Sequence, residues 1–213
     1  MRDYQKDFID FALRHKVLRF GQFELKSGRL SPYFFNTGLF NSGVALGRLG
    51  EFYARAIVAS GIEFDLIFGP AYKGIPLGAA ISIAFANHFD RDIPFAFNRK
   101  ERKDHGEGGT TFGAPLKGRV LIVDDVISAG TSVGESMAII ENENAAAAGV
   151  MISLDRQERG PGDLSAIDDV MQRYEIPVHS LVTLVNIVEY LEGSGDWEAE
   201  IERIIGYRSQ YGC

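Results

Sequence analysis

Cysteine is nearly absent from this chain of 213 residues: the single one, Cys213, is the last residue. No internal disulfide can form, and no room is left for a C-terminal prenylation box. Long hydrophobic runs are missing as well, since no apolar stretch approaches the roughly 20 residues that cross a bilayer. The opening segment "MRDYQKDFIDFALRHK" is charged throughout and lacks the apolar centre of a secretion signal. Together these features predict a reduced, cytoplasmic setting. Positive charge is also scarce, with 22 Lys and Arg against 29 Asp and Glu, a formal net charge of −7. That balance argues against a general nucleic-acid binder, whose affinity rests on Lys and Arg facing phosphates. A small polyanion remains a possible ligand wherever cations gather locally.

No repeat, low-complexity tract or Pro/Ser linker interrupts the chain, so residues 1–213 are expected to form one domain. Tyr4, Phe8, Phe11 and Ala12 fall at helical spacing, and "QFELKSGRLSPYFFN" predicts two short strands about a Ser27–Gly28 turn. Helix and strand then alternate. "GVALGRLGEFYARAIVAS" is an amphipathic helix closed by Gly61, "FDLIFG" a buried strand, and a helix follows from about Gly74 to Asn87. "IPFAFN", "RVLIVDD", "AGVMISL" and "VHSLVTL" read as strands. "GTSVGESMAIIENE" and "DLSAIDDVMQRY" read as helices, with two more at the C-terminus. This order predicts an α/β fold: a doubly wound, mostly parallel sheet flanked by helices, with residues 1–40 adding a small N-terminal cap or hood. Ligands of such sheets bind at the carboxyl ends of strands.

"VLIVDDVISAGTS", Val120 to Ser132, joins two features that want opposite ligands. A buried strand delivers Asp124 and Asp125 to the carboxyl edge. The turn Val126, Ile127, Ser128, Ala129 and Gly130 then leads into a helix beginning at Thr131 and Ser132. Unpaired N–H groups of a first helical turn, with nearby hydroxyls and a glycine, form a phosphate cradle. The same residues also suit a plain buried strand followed by a Ser-capped helix. There is no G-x-x-x-x-G-K-[ST], and no complete G-x-G-x-x-G follows a strand, which sets aside a P-loop and a dinucleotide fold. A ribose 5-phosphate would satisfy both halves, with its phosphate in the turn and its 2- and 3-hydroxyls donating to the carboxylates. Positive charge developing at C1 would be stabilised there too.

Two further segments follow strands. "RKERKDH", Arg99 to His105, places four of the 22 basic residues within seven positions, and Gly106, Gly108 and Gly109 come after it. It suits a solvated loop or a closing basic lid over a polyphosphate. "GPAYKGIP" brings Lys73 to the carboxyl edge, either as a common turn or as a pyrophosphate loop.

These stretches resemble the type I phosphoribosyltransferases, which bind phosphoribosyl pyrophosphate (PRPP). All thirteen positions of "VLIVDDVISAGTS" fit that signature, with Ser128 where many members carry Thr. Within the family, "FELKSGRLSPYFFNTG", "FNRKERKDHGEGG" and "SLDRQERG" are similar to the members that act on orotate, from the first helix to about Gly160. The resemblance implies transfer of phosphoribose from PRPP to N1 of orotate, a step of pyrimidine (UMP) synthesis. It implies Mg²⁺ as cofactor, carried mainly by PRPP and water rather than by protein ligands. Lys26, Tyr72, Lys73, Arg99, Lys100, Lys103, His105 and the Asp124–Ser132 segment match PRPP contacts, and Lys103, Asp124 and Asp125 match catalytic positions. Phe34, Phe35, Ser128 and Arg156 match orotate contacts, with Arg156 suited to a bidentate grip on the carboxylate. Read without the resemblance, Arg156 also suits a surface ion pair beside Glu158, Phe34–Phe35 cap packing, and His105 an idle loop position. Arg99, Lys103 and His105 match loop residues that reach a neighbouring subunit's site, which implies a homodimer. Rival readings are a phosphoribosyltransferase for another base and a PRPP-sensing regulator of the same fold.

Overall fold

The computed structural model describes residues 1–25, 27–103, 109–128, 130–160, 162 and 164–213, with residues 101–103 and 109–110 described by backbone path alone. Lys26, His105 and Ala129 therefore lie outside the described residues, as do Gly106, Gly108 and the Lys103 side chain.

Helix α1 (Asp3–Arg14) buries Phe8, Ile9, Phe11 and Ala12, the stripe its spacing predicts. Strands β1 (Leu18–Glu24) and β2 (Leu30–Phe35) form a separate antiparallel hairpin. Helix α2 (Gly43–Ser60) starts where the Ser42 hydroxyl accepts from the Ala45 N–H, and ends at Gly61 in the left-handed conformation. Then come β3 (Leu66–Gly69), α3 (Gly74–Phe89), β4 (Phe95–Lys103), β5 (Gly109–Gly113) and β6 (Arg119–Val123). The chain continues through α4 (Thr131–Asn142), β7 (Ala146–Asp155), α5 (Ala166–Tyr174) and β8 (Val178–Thr183), and ends with α6 (Leu184–Ser194) and α7 (Glu198–Tyr211). Among the described residues, no helix is long and apolar enough to cross a membrane.

The main sheet has the order β5-β4-β3-β6-β7-β8, parallel except for the β4–β5 pair. Its central strands are apolar on both faces. Ile67, Leu121, Val123 and Met151 face the core shared with α1, α2, α3, α6 and α7. Leu66, Phe68, Val120, Ile122, Val150 and Ile152 face α4 and α5. Burial on both faces explains the unbroken apolar runs of β3 and β6.

The basic segment departs from its expected loop. Arg99, Lys100 and Lys103 belong to β4, which pairs with β5 through Asn98↔Thr111 and Lys103↔Gly109. Beyond Phe97, β4 leaves β3 and pairs with β5 alone, so its charged residues carry no apolar alternation to mark it. Asn144 takes a positive φ of 56° just past α4, where the chain must leave the helix.

Helices α2 and α3 approach closely at Gly50. A Cβ placed there would fall on the Ala80 carbonyl, with the Ala80 carbonyl carbon only 2.7 Å away. Gly50→Ala should therefore cost about 1–3 kcal/mol through overpacking. Urea unfolding should show this as a lower midpoint with an unchanged slope, and an unchanged midpoint would contradict the packing described here.

Candidate functional site

Strand β6 ends at Val123, and the parallel ladder continues into the acidic pair. The Asp124 N–H donates to the Met151 carbonyl (3.1 Å), and the Asp125 carbonyl accepts from the Ser153 N–H (2.9 Å). Both acids are thus fixed to β7 through their backbones. Behind them stands Tyr53 of α2, fully buried. Its hydroxyl donates to the Asp124 carbonyl at 2.7 Å and shares a second bond of 2.7 Å with Ser153 Oγ. Burial raises its pKa well above the ordinary value, so it acts as a neutral donor.

The two side chains diverge. Asp124 accepts from the Asp125 N–H on one oxygen (2.8 Å) and from the Ser132 hydroxyl on the other (2.9 Å). Burial, and next the neighbouring charge of Asp125, push its pKa up to about 6. Asp125 accepts from Lys73 Nζ (2.6 Å) and the Thr37 hydroxyl (2.9 Å) on Oδ2, and from the Val126 N–H (2.9 Å) on Oδ1. Thr37, Lys73 and Asp125 line a cavity of about 390 Å³ together with Phe40, Leu46, Leu49 and Leu77.

Lys73 is delivered by the loop between β3 and α3. Gly69 and Gly74 pinch this loop shut, because a Cβ at Gly69 would strike the Gly74 carbonyl carbon at 2.6 Å. The Ala71 N–H donates to Asn98 Oδ1 (2.7 Å), tying the loop to β4. The Ala71–Tyr72 peptide is cis. Tyr72 is exposed, with Lys100 Nζ 5.5 Å from its ring centre, while the Arg99 guanidinium lies 3.5 Å over Phe112. Lys100 is thus brought to Tyr72, the neighbour of Lys73 in the chain.

Helix α4 opens without a side-chain cap: Gly130, at φ 70°, occupies the N-cap. Its first-turn N–H groups are therefore left for an anion, and the helix dipole adds partial positive charge. Ser128 and Thr131 are exposed beside this turn. Ser132 differs from expectation, since its hydroxyl is committed to Asp124 rather than turned to the cradle.

The hairpin side of the site carries Phe34, stacked on Phe23 (5.4 Å between centres), and Phe35, edge-on to Phe8 (6.3 Å). Arg156 follows β7 and is largely buried, with its guanidinium 4.4 Å over the Tyr33 ring. It pairs with Glu158, the partner weighed from sequence, but inside the protein rather than on its surface. Thr37, Asn98 and Ser153 fall inside the stretches that carry the family resemblance but had no role read for them, and Tyr53 carried no motif.

The model for the phosphoribosyl transferase domain matches residues 41–178 of this chain. The orotate phosphoribosyltransferase of Thiobacillus denitrificans is 61% identical over 212 residues, covering all of both chains. That of Pseudomonas aeruginosa is 58% identical over the same span. The crystal structure of orotate phosphoribosyltransferase from Francisella tularensis superposes with a TM-score of 0.88 at 46% identity, covering 97% of this chain and all of the other. By this domain match and these full-length identities, the chain belongs to the phosphoribosyltransferase family, in its orotate phosphoribosyltransferase branch.

Proposed function

We propose that this chain transfers the 5-phosphoribosyl group of PRPP to N1 of orotate, forming orotidine 5′-phosphate and pyrophosphate. The observation that carries the reading is the acidic pair set against the uncapped start of α4, with Lys73 on Asp125. The N–H groups of the turn, with Ser128 and Thr131, take the 5-phosphate. The 2- and 3-hydroxyls of the ribose donate to Asp124 and Asp125, which sit where positive charge grows as the C1–pyrophosphate bond breaks. Lys73 holds Asp125 until the substrate arrives. The hydroxyl then replaces it, and the ammonium turns to the pyrophosphate together with Lys100. Arg156 engages the carboxylate of orotate, and the backbone of Phe34 and Phe35 borders the ring. The whole belongs to a cytoplasmic pyrimidine pathway.

Mg²⁺ is the expected companion. Among the described residues, no group of three or more His, Cys, Asp or Glu side chains stands together. Asp125 lines the site cavity, and a hard cation there would take most of its oxygens from PRPP and water. Bound there, it would neutralise charge on the leaving pyrophosphate.

A homodimer completes the proposal. Val44 and Ile83, 84% and 60% exposed, stand on α2 and α3, whose faces form a groove of about 480 Å³ lined by Leu46, Ala79 and Ile83. This groove shares Gly43, Leu46 and Pro76 with the site cavity, so a second copy seated on it lies next to the site. The β4–β5 hairpin then brings Arg99 and Lys103 to the partner.

The reaction itself is tested with a panel of bases, PRPP and Mg²⁺. Orotate should be consumed, whereas conversion of adenine, hypoxanthine or guanine in its place would overturn the assignment. Asp124→Asn and Asp125→Asn should each lower kcat by about 10²-fold while PRPP binding weakens less. Asp124 loses its charge as pH falls through about 6, so kcat/KM for PRPP should drop below that pH. The Asn variant at 124 should lack this acid limb, and a limb kept there would assign it to another group. Sharing of sites is read by subunit exchange between Lys103→Ala and Asp124→Ala. About half the dimers become mixed, each with one intact site, so activity should rise to roughly a quarter of wild type. Activity that stays at the parental level in confirmed mixed dimers would place the hairpin in its own subunit's site.

A further inference from the structure

Arg156 does not stand alone. Its Nε donates to Glu158 Oε1 at 2.9 Å, Nη2 lies 2.7 Å from the same oxygen as an ion pair, and Nη2 donates to Ser31 Oγ at 3.2 Å. The Tyr33 hydroxyl donates to the same Oε1 at 3.1 Å. Among the described residues Nη1 has no hydrogen bond. One edge of the guanidinium is thus consumed, and Nη1 is the end that keeps donor capacity.

An arginine paired one-to-one with a buried glutamate is neutral overall and offers an anion little attraction. A second cation alters that balance. Arg29, from the turn between β1 and β2, places Nη1 3.9 Å from Glu158 Oε2. It is held by the Arg159 carbonyl (2.9 Å) and lies 4.8 Å over the Tyr211 ring. Tyr33 and Tyr207 border the cluster, and burial raises both pKa values above the ordinary one, so they add no charge. Two guanidiniums share one carboxylate, which leaves a single positive charge.

We infer that Arg29 and Glu158 together set the preference for a base bearing one carboxylate: Glu158 aims Arg156, and Arg29 restores the charge that Glu158 removes. Neither residue touches the base in this scheme; both are positioning residues that act through Arg156. The inference rests on the reading of Arg156 as the group that meets the orotate carboxylate.

Charge separates this role from simple structural support. Arg29→Gln should raise KM for orotate on the order of tenfold, with kcat and the KM for PRPP within about twofold of wild type. Arg29→Lys should recover most of the loss. Glu158→Gln, which frees a charge while keeping hydrogen-bonding atoms, should not raise the orotate KM as Arg29→Gln does. The double variant Arg29→Gln/Glu158→Gln returns the cluster to one positive charge and should bring the orotate KM back toward wild type. If Arg29 only anchors the Arg159 carbonyl, the double variant will be at least as impaired as Arg29→Gln, and the inference fails. Arg29→Met, which keeps the stem over Tyr211, replaces the Gln variant in both arms if thermal melts show loss of fold. Arg156→Ala separates the two levels: an unchanged orotate KM there overturns the reading of Arg156 itself. A raised KM there, without rescue in the double variant, overturns the charge-sharing device alone.

Discussion

Two adjacent carboxylates held out of water repel each other, and most of what surrounds Asp124 and Asp125 offsets that repulsion. Lys73 and Thr37 meet Asp125, while Ser132 and the Asp125 N–H meet Asp124. The balance is incomplete, since Asp124 keeps a raised affinity for a proton. A ligand that brings hydroxyl donors and a developing cation completes it. That unmet requirement is present before any substrate binds, which is how preorganised electrostatic stabilisation works.

Holding the pair in place requires a rigid frame. β6 lies between β3 and β7 with both faces buried, and Tyr53 reaches from α2 to the Asp124 carbonyl. Val123, the last residue of β6, pairs with Met151, and β7 runs on to Asp155, so the segments after both strands leave the same edge of the sheet. The phosphoribose chemistry and the base-recognition cluster at Arg156 therefore grow from neighbouring strand ends. The segment carrying Arg156 is clamped in turn by the C-terminus. The Arg159 N–H donates to the Tyr211 carbonyl, and the Cys213 N–H to that of Gln157.

The sequence made the central strands legible because burial on both faces leaves unbroken apolar runs, as in "VLIV" before Asp124. The turn into α4 was legible because an anion cradle needs its glycine and hydroxyls next to one another in the chain. The β4–β5 hairpin was not, because Arg99, Lys100 and Lys103 hide the outer half of β4 beneath a charge run. Thr37, Tyr53 and Ser153 were not legible either. Thr37 meets Asp125 across 88 positions and Tyr53 meets Ser153 across 100, so only the folded chain joins them. Glu158 was visible beside Arg156, but Arg29, 129 positions away from Glu158 by their numbers, was not.

The assignment of the acidic pair to the ribose hydroxyls can be measured without turnover. Calorimetric titration at pH 8 would compare ribose 5-phosphate with 2-deoxyribose 5-phosphate on the wild-type protein, Asp124→Asn and Asp125→Asn. Loss of the 2-hydroxyl should weaken wild-type binding by about tenfold, the size expected for a hydrogen bond to a charged acceptor. At least one Asn variant should lose less than about twofold, because its share of that interaction is already gone. An equal penalty in all three proteins would show that the hydroxyl does not meet these carboxylates, and would contradict the role given to them.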